Sequence, residues 1–384
     1  MIRILVGGDI CPMGKIQQSF IDGNANEIFH DLLEEISDAD LAIANLECPL
    51  ISHETPIKNK GAVLGASVEC IKALVRAKWD VLNLANNHSF DHGAKGLQET
   101  IKTIKEAGLS TVGSGMNLEE AQIPFIKEIN GLRIVIYSMA EHEFSVADKN
   151  IPGSNPLDLI NFINIIREYK LGGIFIVLLH GGREFYPYPS PEMVKRCRFM
   201  VDMGADAVIC CHTHCPLPWE IYADRPIVYG QGNLVFEPFS KPLPSWYEGY
   251  MARLIIKDRY VRFEPIPYIQ ARQTLGVKKM EASTKRHFID EMRKKSIELQ
   301  NNVFLEQQWL RYCNQQKETY LAMLFGYNHF MMKIKRLLLK ILHPKNIILR
   351  SLLLVQCETH SEILNTIFRD ERTREGGLMK QNLS

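Results

Sequence analysis

The sequence predicts an α/β domain whose strands are covered by helices on both sides, followed by a helical appendage. Three observations predict it. From residue 1 to about 265, short apolar runs rich in β-branched residues alternate with segments of helical period. The strand-like runs are almost wholly apolar, as strands buried on both faces are. From about 283 to 370 the text becomes long, charged and poor in Gly and Pro. The expected division is therefore 1–270 for the main domain and 271–384 for the appendage, with a mobile tail from Gly376.

The elements follow in order. Strands are expected at 2–6, 41–45, 81–85, 174–179 and 207–211. Leu97, Ile101 and Ile104 mark one face of a helix that Gly108 stops. Phe125 to Ile129, Asn130-Gly131 and Leu132 to Tyr137 read as a hairpin with a type I′ turn. Ser190-Pro191 caps a helix running through Met193, Cys197 and Met200 to Gly204. Residues 251–257 and 260–266 form two more strands joined near Asp258-Arg259. In the appendage, 319–357 holds no Asp or Glu but carries Lys333, Lys335, Arg336, Lys340, Lys345 and Arg350 among leucines and isoleucines. A basic amphipathic helix of that kind suits either peripheral membrane contact, through 331–355, or packing on the main domain with its lysines solvated.

Composition excludes several classes. Lys+Arg total 45 against 44 Asp+Glu, so net charge is +1 and nothing global favours nucleic acid. A chain 46% hydrophobic and 23% charged is not a disordered one. Nine irregularly spaced cysteines form no secreted disulfide framework. The first residues lack the layout of a signal peptide, and no run is apolar enough to span a bilayer. The expected compartment is cytoplasmic, at most peripheral at the inner membrane face.

Function is written at the strand ends. Five apolar runs each finish in side chains able to bind a metal or move a proton: Asp9; Asn45 and Glu47; Asn86, Asn87 and His88; His180; His212 and His214. In open α/β sheets, carboxyl ends of strands share one rim where ligands bind. Taken singly, Asp9 after Gly7-Gly8 also fits a turn, Glu47 a solvated loop and His180 a structural histidine. His212 and His214, at i and i+2, share a side if the chain stays extended. Five such endings together point to a hydrolytic site with two cations about 3.5–4 Å apart, which activates water and clamps an anionic transition state. Cys211-x-x-x-Cys215 has zinc-like spacing, but a structural zinc would need a second ligand pair.

The ordered set Gly8-Asp9, Asn45-Leu46-Glu47, Ala85-Asn86-Asn87-His88 with Asp91, Gly113-Ser114-Gly115, His180 to Phe185, Gly204-Ala205-Asp206, His212-Thr213-His214 and Gly232-Asn233 resembles the CapA family of capsule or poly-γ-glutamate biosynthesis proteins. The resemblance covers about residues 1–265. It implies a four-layer αββα metallophosphatase-like sandwich and the dinuclear centre of calcineurin-like phosphoesterases, holding two divalent ions (Mn, Fe, Zn or Mg). On that likeness Asp9 serves one ion and Glu47 bridges both. Asn87, His180 and His212 hold the second ion, and His214 completes the first. His88, oriented by Asp91, donates the proton to the leaving group, and Arg183, Glu184 and Asn233 meet the substrate. Calcineurin-like enzymes usually carry His where this chain has Cys11, whose thiolate suits a soft ion such as zinc but which reads first as packed core. The implied activity is metal-dependent hydrolysis of a phosphoester or anionic polymer. The alternative is a non-catalytic, polymer-binding assembly factor of a capsule synthase complex.

Overall fold

The structure, a computed structural model, describes residues 1–57, 62–143, 145–238, 242–270 and 275–324. The basic segment 331–355 and the tail from Gly376 lie outside the described residues. Packing divides the chain into Met1–Trp309 and Leu310–Ser384. Residues 310–324 of the second unit are helical. Among the described residues no helix is long and apolar enough to cross a membrane.

Two sheets organise the first unit. One is eight-stranded, in the order Val277–Lys279, Tyr260–Gln270, Glu248–Lys257, Ile2–Cys11, Leu41–Leu46, Val81–Asn83, Ser110–Val112, with Asn233–Phe236 also paired to the first strand. The last four strands of that order run parallel. The other sheet is six-stranded: Trp219–Tyr222, Arg225–Val228, Ala207–Cys211, Ile174–His180, Leu132–Ala140, Phe125–Ile129. Its middle strands are parallel too.

Strand alternation sorts the core into layers. Ile4 and Val6 face Ile176 and Leu178 in a core shared by both sheets. Leu5, Ala42 and Leu82 point the other way, into a core lined by Phe20, Phe29 and Ile104 from helices. Phe175, Val177 and Val208 meet Phe162, Val194 and Met200 of the helices Leu159–Tyr169 and Pro191–Asp202. Helix, sheet, sheet, helix is the four-layer order expected from the resemblance. It arises because each strand is apolar on both faces and needs a partner on each.

Local features follow their sequence signals. Asn130 and Gly131 both take positive φ (51° and 75°), as a type I′ turn demands. The Ser190 side chain accepts from Met193 N–H at 3.1 Å, and Pro191 opens the helix. Asp258 and Arg259 repeat the positive-φ turn between two long strands.

Two features differ from expectation. The first strand extends from Ile2 through Asp9 to Cys11 rather than stopping at residue 6. Gly7-Gly8 is not a turn but a thin stretch of strand: a Cβ on Gly8 would lie 2.2 Å from the Gly232 carbonyl oxygen. Past residue 270, Val277–Lys279 joins the larger sheet, and Phe288 and Met292 of helix Ala282–Leu299 enter the core between the sheets. The stretch 277–309, which the sequence groups with the appendage, thus lies in the first unit.

Candidate metal centre

The parallel strands of both sheets end on one rim, and the polar side chains meet there. Asp9, Glu47, Asn87, His180, His212 and His214 are all buried. Three sets of ligand atoms lie within 4.8 Å of one another: Asp9, Glu47 and His214; Glu47, His180 and His212; and Asp9, His180 and Cys211. Glu47 belongs to the first two, so it stands where one carboxylate can serve two positions.

Each side chain is held by its element. An amide ladder braces the oxygen side. Asn45 Nδ2 donates to Asp9 Oδ1 at 2.7 Å, while Asn45 Oδ1 accepts from Asn83 at 3.0 Å and Asn86 at 3.2 Å. The other Asp9 oxygen accepts from the His212 backbone N–H at 3.2 Å. On the imidazole side, His180 Nε2 lies 2.9 Å from Asn87 Oδ1 and 3.0 Å from His212 Nδ1. Three lone-pair atoms crowd there around what a single proton must satisfy. His214 Nδ1 sits 2.8 Å from Asn233 Oδ1, and its Nε2 points to Glu47 at 3.9 Å.

The histidine pair does not converge by staying extended. The strand ends at Cys211, and His212 and His214 both take positive φ, 97° and 52°. Two left-handed residues around Thr213 curl the chain so that both rings reach the centre, 6.1 Å apart. Such φ values are costly for non-glycine residues and cluster where function requires them.

Glu47 provides the test of fit for a metal. Both its oxygens are buried and neither has a hydrogen-bond partner. Asp9 is near enough to bond it only if a proton or a cation stands between the two carboxyl groups. The His180 and His214 rings stand off at 3.5 and 3.9 Å, so this buried carboxylate lacks the close partners it needs to stay charged, and a cation would supply them. The electrostatics agree. Burial, then Glu47, pushes Asp9 up to about 6, and burial also raises Glu47. Burial draws His180 down to about 4 and His212 well below the usual imidazole range. Burial also draws His214 down, but Glu47 and Asp9 outweigh it and leave it raised. Carboxylates strained towards neutrality beside two imidazoles held uncharged, His180 and His212, are a donor set that a divalent cation relieves. The residues present therefore fit such an ion.

His88 sits at the edge of this cluster. Its Nδ1 lies 2.7 Å from Asp91 Oδ2, which also accepts the Leu64 backbone N–H at 2.7 Å. Burial lowers His88, but the Asp91 bond and the Glu47 charge more than offset it, so its protonated form is favoured.

The remaining candidates are placed as follows. The Arg183 charge reaches His212, and Glu184 acts on Glu47 and His214 from the same loop. Asn233 is wholly buried behind His214. Tyr186 and Tyr188 pack against Trp309 and Phe304. Phe185, 41% exposed, stacks on Trp246 beside His214. Cys11 is buried in the helix-side core. Among the described residues every group able to hold an ion lies in this centre, and none pairs Cys211 with Cys215.

Glu143 escapes the sequence reading, and Cys211, considered there only in a zinc-like pair with Cys215, stands instead beside His180. Cys211 Sγ lies 3.2 Å from His180 Nδ1, and burial keeps its thiol protonated. Glu143 brings Oε1 to 3.4 Å from His212 Nε2 and Oε2 to 3.3 Å from Asn87 Nδ2. The signal for Glu143 was the same as for the others. The apolar strand Leu132–Ala140 ends in Glu141-His142-Glu143, beside the strand of His180. The hairpin turn at Asn130-Gly131 is the stronger local signal and masks that far end.

Comparison with known proteins bears on the same region. The family described as Bacterial capsule synthesis protein PGA_cap matches residues 3–238. Capsule biosynthesis protein CapA of Bacillus anthracis is 32% identical over 243 residues, which cover 60% of this chain and 58% of that protein. PGA biosynthesis protein CapA of Bacillus subtilis is 30% identical over 236 residues, covering 60% and 62%. The chain thus spans about three fifths of the length of these curated relatives. Similar solved structures include a novel phosphatase from Mycoplasma pneumoniae (15% identity, TM-score 0.45, covering 75% of this chain and 98% of that one). A 5'-nucleotidase from Candida albicans is another (10% identity, TM-score 0.39, covering 82% and 58%).

Proposed function

The chain belongs to the bacterial capsule synthesis protein PGA_cap family, and on that premise we propose that it is a metal-dependent hydrolase acting in the synthesis of capsule or a related anionic polymer. One observation carries the reading: both oxygens of buried Glu47 lack hydrogen-bond partners within reach of two ligand sets. Asp9, Glu47 and His214 would hold one divalent ion. Glu47, Asn87, His180 and His212 would hold a second. Bound there, the ions supply an activated water at neutral pH and a clamp for an anionic transition state.

The protein's own groups do the rest. The Asn45, Asn83 and Asn86 amides fix Asp9 before substrate arrives, so its orientation costs nothing at the moment of reaction. Asp91 anchors His88 Nδ1 and stabilises the imidazolium, which leaves Nε2 to pass a proton to the leaving group. Arg183 offers a planar cation to an anionic substrate, and Phe185 on Trp246 gives that substrate an apolar wall. The substrate class is a phosphoester or an acidic polymer, and the working partner is a polymer synthase; that the relatives are named for capsule and PGA biosynthesis supports the polymer.

Metal analysis after dialysis against Mn, Fe, Zn or Mg tests the reading. It expects two ions per chain, lost together in Glu47→Ala. No bound ion with any of these metals would overturn it. Two bound ions without turnover of phosphoesters or poly-γ-glutamate would favour an assembly role instead.

A further inference from the structure

We infer that Glu143 is a positioning residue that sets the orientation of two ligands of the second ion at once. The inference rests on the metal reading of the centre. Each imidazole there presents one ring nitrogen inward and gives the other to an outer partner. His180 turns Nε2 towards Asn87 and His212, with Nδ1 on Cys211. His214 turns Nε2 towards Glu47, with Nδ1 on Asn233. His212 is reversed. Its Nδ1 faces His180, and its Nε2 faces the Glu143 carboxylate at 3.4 Å.

A carboxylate cannot donate a proton, so the proton between Glu143 and His212 belongs on Nε2. That placement leaves the Nδ1 lone pair free for a cation, the arrangement by which outer carboxylates fix the tautomer of metal-binding histidines. The second Glu143 oxygen accepts from Asn87 Nδ2 at 3.3 Å. This bond fixes which end of the amide faces inward, so Asn87 Oδ1 is the atom offered to the ion. One side chain thereby prevents two wrong orientations, an imidazole presenting N–H and an amide presenting NH₂ to a cation.

Glu143 is suited to this because it stands outside the packed ligands. Its side chain is 35% exposed, in contrast to wholly buried Glu47. The strand it follows pairs with the His180 strand in register, Ala140 opposite His180, which brings the residues after Ala140 to the ligand rim. Glu141 is occupied otherwise, accepting from the Gly182 N–H at 3.1 Å and from Arg196 at 3.3 Å.

The test compares the parent with Glu143→Gln, Glu143→Ala and Glu143→Asp in the full chain. Calorimetric titration with Mn²⁺ is expected to show two steps in the parent. In Glu143→Gln and Glu143→Ala the second step should weaken about 10–100-fold, with the first unchanged and Glu143→Asp partly restored. Long-range ¹⁵N–¹H NMR of the metal-free protein should show His212 protonated on Nε2 in the parent, with that preference lost in Glu143→Ala. Melting temperatures of the metal-free proteins should coincide, which separates positioning from a general structural role. Parent-like affinity at both steps in Glu143→Gln and Glu143→Ala, or an unchanged His212 tautomer, would overturn the inference. If the parent binds no Mn²⁺ but its His212 tautomer depends on Glu143, the metal reading fails while the orienting contact stands.

Discussion

The two sheets bring different chemistry to the same rim. Strands of the larger sheet end in oxygen donors, Asp9, Glu47 and Asn87, braced by buried amides. Strands of the smaller sheet end in imidazoles, His180, His212 and His214, each backed by an outer partner. The oxygen half has rigid backing and unsatisfied charge. The imidazole half has backbone strain at His212 and His214, and burial disfavours charge on His180 and His212. Neither half is a site alone. The difference teaches that the centre belongs to the seam, where a cation can draw charge from one sheet and neutral nitrogens from the other.

The most damaging way to break this comparison is to remove the residue both ligand sets share. Glu47→Ala should lose both ions and lower turnover on the order of 10³-fold or more, read by metal analysis and steady-state kinetics. A Glu47→Ala protein that keeps one tightly bound ion would show the halves to be separable. Next, His88→Ala should leave metal content intact and lower kcat by about 10²–10⁴-fold. Loss of metal in that variant would move His88 from proton transfer into the ligand set.

A smaller effect sharpens the imidazole half. Asn233→Ala removes the acceptor behind His214 Nδ1 and should weaken the first ion about 10–100-fold, leaving the second unchanged in a two-step titration. The smallest effect probes the seam without touching its chemistry. Ile176→Val, in the core between the sheets, should cost about 0.5–1.5 kcal/mol in denaturant unfolding with metal affinity unchanged. A shift in metal affinity there would mean that intersheet packing itself sets ligand spacing.

Much of the site was legible because a buried parallel strand leaves a plain mark: an apolar run, then a polar residue that has no business at a core edge. Asp9, Glu47, Asn87, His180, His212 and His214 all carried it. Glu143 carried it too, but its strand also belongs to a hairpin, and the turn at Asn130-Gly131 is the stronger local signal. The length of the first strand was hidden because two glycines read as a turn unless the neighbour that needs their missing side chains, the Gly232 carbonyl, is known. The strand Val277–Lys279 was hidden because three residues next to a charged helix have no period to detect.

While the four-layer αββα order rested on the family resemblance, the sequence alone marked the main strands and helices, the α/β class through apolarity on both strand faces, and the identity of most donor groups. Those are properties of single segments, set by local geometry and by water's aversion to apolar surface. Tertiary structure alone decided which nitrogen of each histidine faces inward, that Glu47 lies without a hydrogen-bond partner between two donor sets, and that Glu143 reaches across to Asn87 and His212. Those depend on distances between residues far apart in the chain, to within a few tenths of an ångström, and no local pattern encodes a distance.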